Sequence, residues 1–336
     1  MFEAARTTRK RAHRAQPRTV WVPAPDVDFE WARRFLQARM VPAVEMITPD
    51  GLERVAWLDS LGRRQVSTRP VWLTIRYEPR GSGDATGTGA CGRISISSMP
   101  AVPAATLRAA AVRMFDLDAN LSTFFTLARR DSLLGPVVAA NPRGLRLVQL
   151  LDPFEALLRA ILGQQVSVAA ASTMTDRLVR LVGTTAPRPP WSDVVPMMRP
   201  RFAFPRPGAV AQFGAARLCT IGLTRAKAAS LHGAAVAVAS GQLNLARLRR
   251  AAPDEADRQL LALPGVGPWT AAYVRLRALG DRDAFPAADL GLIRALSALG
   301  VPASRFSVIA ERWRPWRGYA TLHLWHSLGA RARVLV

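Results

Sequence analysis

The residue types and spacings best suited to chemistry lie in the window Leu263-Pro264-Gly265-Val266-Gly267-Pro268-Trp269-Thr270-Ala271. Pro264 stops the helical stretch before it, and Pro268 has the restricted φ wanted at the first position of the next helix, so a tight helix–hairpin–helix is expected, with the hairpin at 263–267. Gly265 and Gly267 admit backbone conformations closed to other residues and let main-chain N–H groups approach a ligand with no Cβ in the way. Amides exposed at a helix N-terminus favour an anion. In a chain with 46 Lys+Arg against 24 Asp+Glu, a formal +22, the anion expected at Gly265, Gly267 and Thr270 is a DNA phosphate. A plain helix–turn–helix corner explains an isolated Pro-Gly-x-Gly as well, but this window is longer and more particular.

A second segment, Asp283-Ala284-Phe285-Pro286-Ala287-Ala288-Asp289-Leu290-Gly291-Leu292, places Asp289 at the start of a helix expected over 290–296. The helix dipole there favours the ionised carboxylate, which suits an electrostatic role better than proton donation. For a lone Asp, an ordinary helix cap is the competing reading. Trp269 and Tyr273 share a face of the helix after the hairpin, and Trp325 lies on the last helix. Aromatic faces attract flat cations by about 0.5–2 kcal/mol per contact, although most of the nine Trp are expected in cores. His323 and His326 are spaced for one helix face, but without a third ligand they read as packing residues.

The elements that must position these residues follow from length and patterning. A chain of 336 residues exceeds what one core supports, so two or three domains are expected. Residues 1–25, with six basic side chains from Arg6 to Arg18 and no apolar period, read as a flexible basic arm. Over 26–117 a helix is expected at 29–40, alternating strands at 71–77 and 93–97 around a Gly-rich loop at 81–92, and a helix at 104–115, making a small α+β domain without a catalytic site. From residue 118 to 336 strand signals vanish and the fold is expected to be mainly α. Asp152 caps a helix there, with Pro153 at its first position and Glu155 closing a capping box. The prolines between Thr184 and Pro207 mark a linker or irregular loop.

Composition narrows the class further. Only Cys91 and Cys219 occur, which excludes by count a disulfide framework, a four-thiolate zinc site and a four-cysteine iron–sulfur cluster. Lysine occurs only at Lys10 and Lys227, so nearly all the positive charge is Arg. With no apolar run of bilayer length, a cytoplasmic protein without membrane contact is expected.

The windows around Gly265 and Asp289 resemble the helix–hairpin–helix DNA glycosylase superfamily, and most closely its 3-methyladenine DNA glycosylase II branch. Two further stretches support the resemblance: Arg159-Ala160-Ile161-Leu162-Gly163-Gln164-Gln165-Val166-Ser167, and Glu311-Arg312-Trp313-Arg314-Pro315-Trp316-Arg317 continuing to Trp325. The resemblance implies an N-terminal domain like half of the TATA-binding protein, then two helical domains with the active-site cleft between them. It implies Asp289 as the catalytic aspartate beside C1′, a base pocket of Trp269, Tyr273 and Trp325, and Gln165 as the wedge that enters the base stack. A wedge in this branch can be apolar, so the Gln165 amide is a departure. The resemblance also implies a monovalent cation, Na+ or K+, on the backbone carbonyls of Leu261, Leu263 and Val266, with no required cofactor.

Relatives that cut the strand carry a lysine two positions after the last hairpin glycine. Here that position is Trp269, which implies a monofunctional glycosylase acting on alkylated purines in double-stranded DNA, as a monomer, in base-excision repair. A DNA-binding or regulatory protein that keeps the fold without turnover is the alternative. Two cysteines cannot supply the metal site of the methyl-acceptor domain fused to some relatives, so direct methyl transfer is not expected.

Overall fold

A computed structural model describes residues 18–24, 27–59, 69–78, 92–141, 144–186 and 200–334. Its N-terminal part is an antiparallel sheet of β1 (Arg18–Pro23), β2 (Glu45–Thr48), β3 (Gly51–Ala56), β4 (Val71–Glu78) and β5 (Arg93–Met99), in the order β1-β5-β4-β3-β2. Val20 faces Ile96, Ile96 faces Ile75 and Ile75 faces Leu52, so one buried aliphatic row crosses four strands. Helices α1 (Phe29–Gln37) and α2 (Ala104–Met114) add Phe29, Phe35, Leu107 and Ala111 to the same core. Asp28 caps α1, its carboxylate accepting from Trp31 N–H at 2.9 Å.

Strand β1 corrects the expected arm. Val20 and Val22 are buried in alternation with exposed Thr19, Trp21 and Pro23, so the sheet domain begins by Arg18 and not at residue 26. The short valine alternation sits directly behind a run of basic residues, which masked its period. The rest of that arm, the loop at 81–91, Lys10 and Cys91 lie outside the described residues.

The helical part consists of α3 (Ser122–Arg130), α4 (Leu134–Ala140), α5 (Pro153–Gly163), α6 (Val168–Val182), α7 (Pro207–Phe213), α8 (Ala215–Leu218), α9 (Arg225–Ala239), α10 (Leu245–Leu248), α11 (Pro253–Leu261), α12 (Pro268–Val274), α13 (Leu290–Ser297), α14 (Phe306–Ala310) and α15 (Arg317–Val334). It has two cores. Residues of α5 to α12 bury Leu157, Leu231, Leu260 and Val274 together, whereas α3 and α4 join α13 to α15 around Phe124, Leu292, Trp313 and Tyr319. The chain therefore starts the second lobe, leaves to build the first, and returns. A π-helical turn, Arg275–Leu279, carries α12 toward that return and ends at Gly280 in the left-handed region, φ 78°.

Two smaller expectations are revised. Thr184–Thr185 and Phe202–Ala203 pair as a short antiparallel ribbon, β6 and β7, where strands were not expected, and 187–199 between them lies outside the described residues. Asp152 and Pro153 do start α5, with the Asp152 carboxylate accepting from Phe154 N–H at 2.9 Å, but Glu155 does not close a capping box. It is buried and turns to Arg54 and Arg159. Arg54 on β3 also donates to Glu45 at 2.7 Å, so a buried ionic group joins the sheet domain to α5. No helix among the described residues is long and apolar enough to cross a membrane.

Candidate active site

Asp289 is the N-cap of α13, with its carboxylate Oδ1 accepting from Leu292 N–H at 3.0 Å. Two indoles converge on the same carboxylate. Trp325 on α15 donates Nε1–H to Oδ1 at 2.8 Å, and Trp269 in the first turn of α12 donates Nε1–H to Oδ2 at 3.2 Å. Gly291 makes room for this approach, because a Cβ there would lie 3.1 Å from Asp289 Oδ1 and 3.2 Å from Trp325 Cδ1. All three donors are neutral, and among the described residues no Arg, Lys or His forms an ion pair with Asp289. Its charge is solvated by dipoles and left uncompensated.

Further aromatic rings pack on these two indoles. Trp269 stacks on Tyr273 with centroids 5.2 Å apart, and Trp325 stacks on Phe35 of α1 at 6.4 Å. Phe35 in turn lies 5.1 Å from Trp31. Below them, Arg277 donates to Tyr273 Oη at 3.0 Å and to Val148 O at 2.7 Å, and its guanidinium lies 4.7 Å from the Phe35 centroid. Burial pushes Arg277 down to about 10. Burial alone would raise the Tyr273 phenol, but Arg277, Arg39 and Arg159 outweigh it and the net shift is downward.

The hairpin lies beside this group. Gly265 has φ +79°, and a Cβ there would sit 2.0 Å from Ser230 Oγ, so only glycine fits both the conformation and the space. Among the described residues the N–H groups of Gly265, Gly267 and Thr270 donate to no protein atom; Gly265 is exposed and Gly267 half-buried, whereas Thr270 is buried. Thr270 is 2% exposed as a whole residue, and its hydroxyl accepts from Gln164 Nε2 at 2.8 Å. The Leu263 carbonyl accepts from Val266 N–H at 3.1 Å, whereas the carbonyls of Leu261 and Val266 take no hydrogen bond from the hairpin. Gln165 is exposed at φ +56°, in the left-handed region, next to exposed Val166. Gln164 therefore links the turn that carries Gln165, the expected wedge, to Thr270, whose neighbour Trp269 bonds Asp289.

Two family models match the chain. Residues 158–317 match the "HhH-GPD superfamily base excision DNA repair protein" model, and 24–152 match the "AlkA N-terminal domain" model. "DNA-3-methyladenine glycosylase 2" of Escherichia coli is 31% identical over 305 residues, 91% of this chain and 95% of that protein. The chain belongs to the HhH-GPD superfamily of base excision DNA repair proteins. The Mycobacterium tuberculosis protein named "Probable bifunctional transcriptional activator/DNA repair enzyme AlkA" is 40% identical over 220 residues. That match covers 64% of this chain and 41% of that relative, less than half its length. The fold is shared with a 3-methyladenine DNA-glycosylase from Archaeoglobus fulgidus at TM-score 0.72 and 21% identity, over 91% of this chain and 97% of that one.

Within this HhH-GPD chain the structure adds residues that the sequence did not single out. The N-terminal domain, expected to hold no part of the site, supplies Phe35 and Trp31. The apolar face of an amphipathic helix does not set either apart, and only the docking of α1 against α15 reveals them. Gln164, beside the expected wedge, and Arg277, in the π-helical turn, also escaped notice. The histidines behave as expected for packing residues. His323 is buried against Asn141, and burial, together with His326, lowers it to about 3. No group of three or more His, Cys, Asp or Glu that could hold a metal occurs among the described residues.

Proposed function

We propose that this protein is a monofunctional DNA glycosylase that hydrolyses the N-glycosidic bond of alkylated purines, of the 3-methyladenine type, in double-stranded DNA, acting as a monomer in base-excision repair. The observation that carries the reading is the Asp289 carboxylate held by three neutral N–H donors with no cation beside it. Breaking the bond between base and sugar leaves positive charge on C1′ and the ring oxygen, and an uncompensated carboxylate is the group that stabilises it. The bond's electron pair goes to the purine, cancelling the charge that alkylation placed there. Water then adds to C1′ and releases a proton.

The aromatic faces of Trp269, Tyr273 and Trp325 favour a flat cationic base over a neutral one. Reaching the bond requires the nucleotide to leave the stack, which is least costly at a damaged pair. Gln165, exposed on its turn, would enter the vacated space and offer its amide to the widowed base. The N–H groups of Gly265, Gly267 and Thr270, which donate to no protein atom among the described residues, suit a backbone phosphate, with Gly265 the most exposed of the three. The neutral carbonyl oxygens of Leu261, Leu263 and Val266 suit Na+ or K+, which when bound would add positive charge for the same phosphate. Trp269 stands where a Schiff-base lysine would have to be, so the abasic product stays uncut.

A duplex carrying one methylated purine, treated with protein and then alkali, tests this. Wild type should yield a break at the lesion only after alkali, with nothing trapped by borohydride. Asp289→Asn keeps a capping side chain, so it should stay folded and lose about 10²–10³-fold in rate. DNA left intact by wild type would favour a binding protein without turnover, and a borohydride-trapped complex would favour a strand-cutting enzyme.

A further inference from the structure

We infer that Lys227 is a positioning residue that locks the turn carrying Gln165 onto the hairpin, so that the phosphate-binding loop and the wedge move as one piece. The inference rests on the glycosylase reading of Gln165 given above. Lys227, on α9, donates Nζ–H to Leu162 O at 3.2 Å and to Gln164 O at 2.8 Å, the carbonyls at the C-terminal end of α5. Among the described residues it pairs with no carboxylate, so its charge is directed to that helix end, where the dipole is negative. Burial lowers its pKa.

Gln164 closes the assembly from the other side. Its Nε2 donates to Gly265 O at 2.9 Å and to Thr270 Oγ1 at 2.8 Å. One turn beyond Lys227 on α9, Ser230 occupies the space beside Gly265 that a Cβ would need. One face of α9 therefore backs both the hairpin and the wedge turn, and Gln164 joins them directly. A non-glycine residue in the left-handed region, as Gln165 is at φ +56°, persists where its surroundings over-determine it, and these contacts fix both the carbonyl and the side chain of the residue before it.

Single-turnover excision by the full-length protein on two duplexes tests the role. One pairs a methylated purine with its normal partner, and the other places it opposite an abasic-site analogue, where no partner base is widowed. Lys227→Met should be slowed about tenfold on the paired duplex and stay within about twofold of wild type on the unpaired one, because only the first needs an accurately held wedge. Lys227→Arg, which keeps the charge and two donors, should restore the paired rate. Gln164→Ala should behave like Lys227→Met, and the double variant should be no slower than either alone. If wild type is active but Lys227→Met loses rate equally on both duplexes, or on neither, the positioning role is overturned. A wild type inactive on both overturns the glycosylase reading itself.

Discussion

Two sets of carboxylates in this molecule are held in opposite ways. Glu45 and Glu155, 2% and 1% exposed, meet guanidinium groups: Arg54 bonds both, and Arg159 reaches Glu155 at 2.9 Å and Glu45 at 3.3 Å. Asp289 meets two indole N–H groups and one amide. In a chain of net +22, an arginine could have been placed beside any acid. Where the carboxylate joins domains, its charge is cancelled, since a buried unpaired charge is costly. At Asp289, for which we propose the task of stabilising a passing cation, neutral dipoles hold the carboxylate in place while leaving its field intact.

Removing one partner from each set sharpens the contrast. The larger effect belongs to the joining group. Arg54→Met leaves two buried carboxylates with Arg159 alone, and should lower unfolding free energy by about 3–5 kcal/mol in denaturant titrations, with excision by the folded protein preserved. Loss of excision before unfolding would mean that the network also shapes the pocket. The smaller effect belongs to the site. Trp325→Phe keeps a ring against Phe35 but removes one donor to Asp289, so excision should fall about tenfold, the worth of one hydrogen bond to a charged group, with little change in melting. A stability loss as large as that of Arg54→Met would erase the distinction between the two sets.

What the sequence revealed of this site follows from how local each signal is. Asp289 was legible because a helix cap and its helix are neighbours in sequence, and the hairpin was legible because two prolines and two glycines punctuate it. The meeting of Trp269 with Trp325 at one carboxylate was accessible only through resemblance, since 56 positions separate them in the numbering. Phe35 and Trp31 fell within a helix expected at 29–40 with nothing to single them out; Phe35 is buried and also stacks on Trp325. Two adjacent glutamines could not be told apart by type. The structure separates them by direction, with Gln164 bound to the hairpin and Gln165 exposed. In the fold, β4, β5 and α2 were readable from alternation and apolar content, whereas β2 and β3, short and carrying Glu45, Glu53 and Arg54, were not expected. β1 was hidden behind basic residues, and Glu155 resembled a capping residue until its partners Arg54 and Arg159 arrived from elsewhere in the chain.

The most direct test of the uncompensated carboxylate needs no turnover. Duplexes carrying a cationic pyrrolidine or a neutral tetrahydrofuran in place of the nucleotide present the charged and uncharged forms of nearly the same sugar. Wild type should bind the cation about 100-fold more tightly, as expected for a mimic of the charged transition state, and Asp289→Asn should lose most of that preference while binding the neutral analogue as before. An Asp289→Asn protein that kept the full preference, or a wild type that showed none, would contradict the role assigned to this carboxylate.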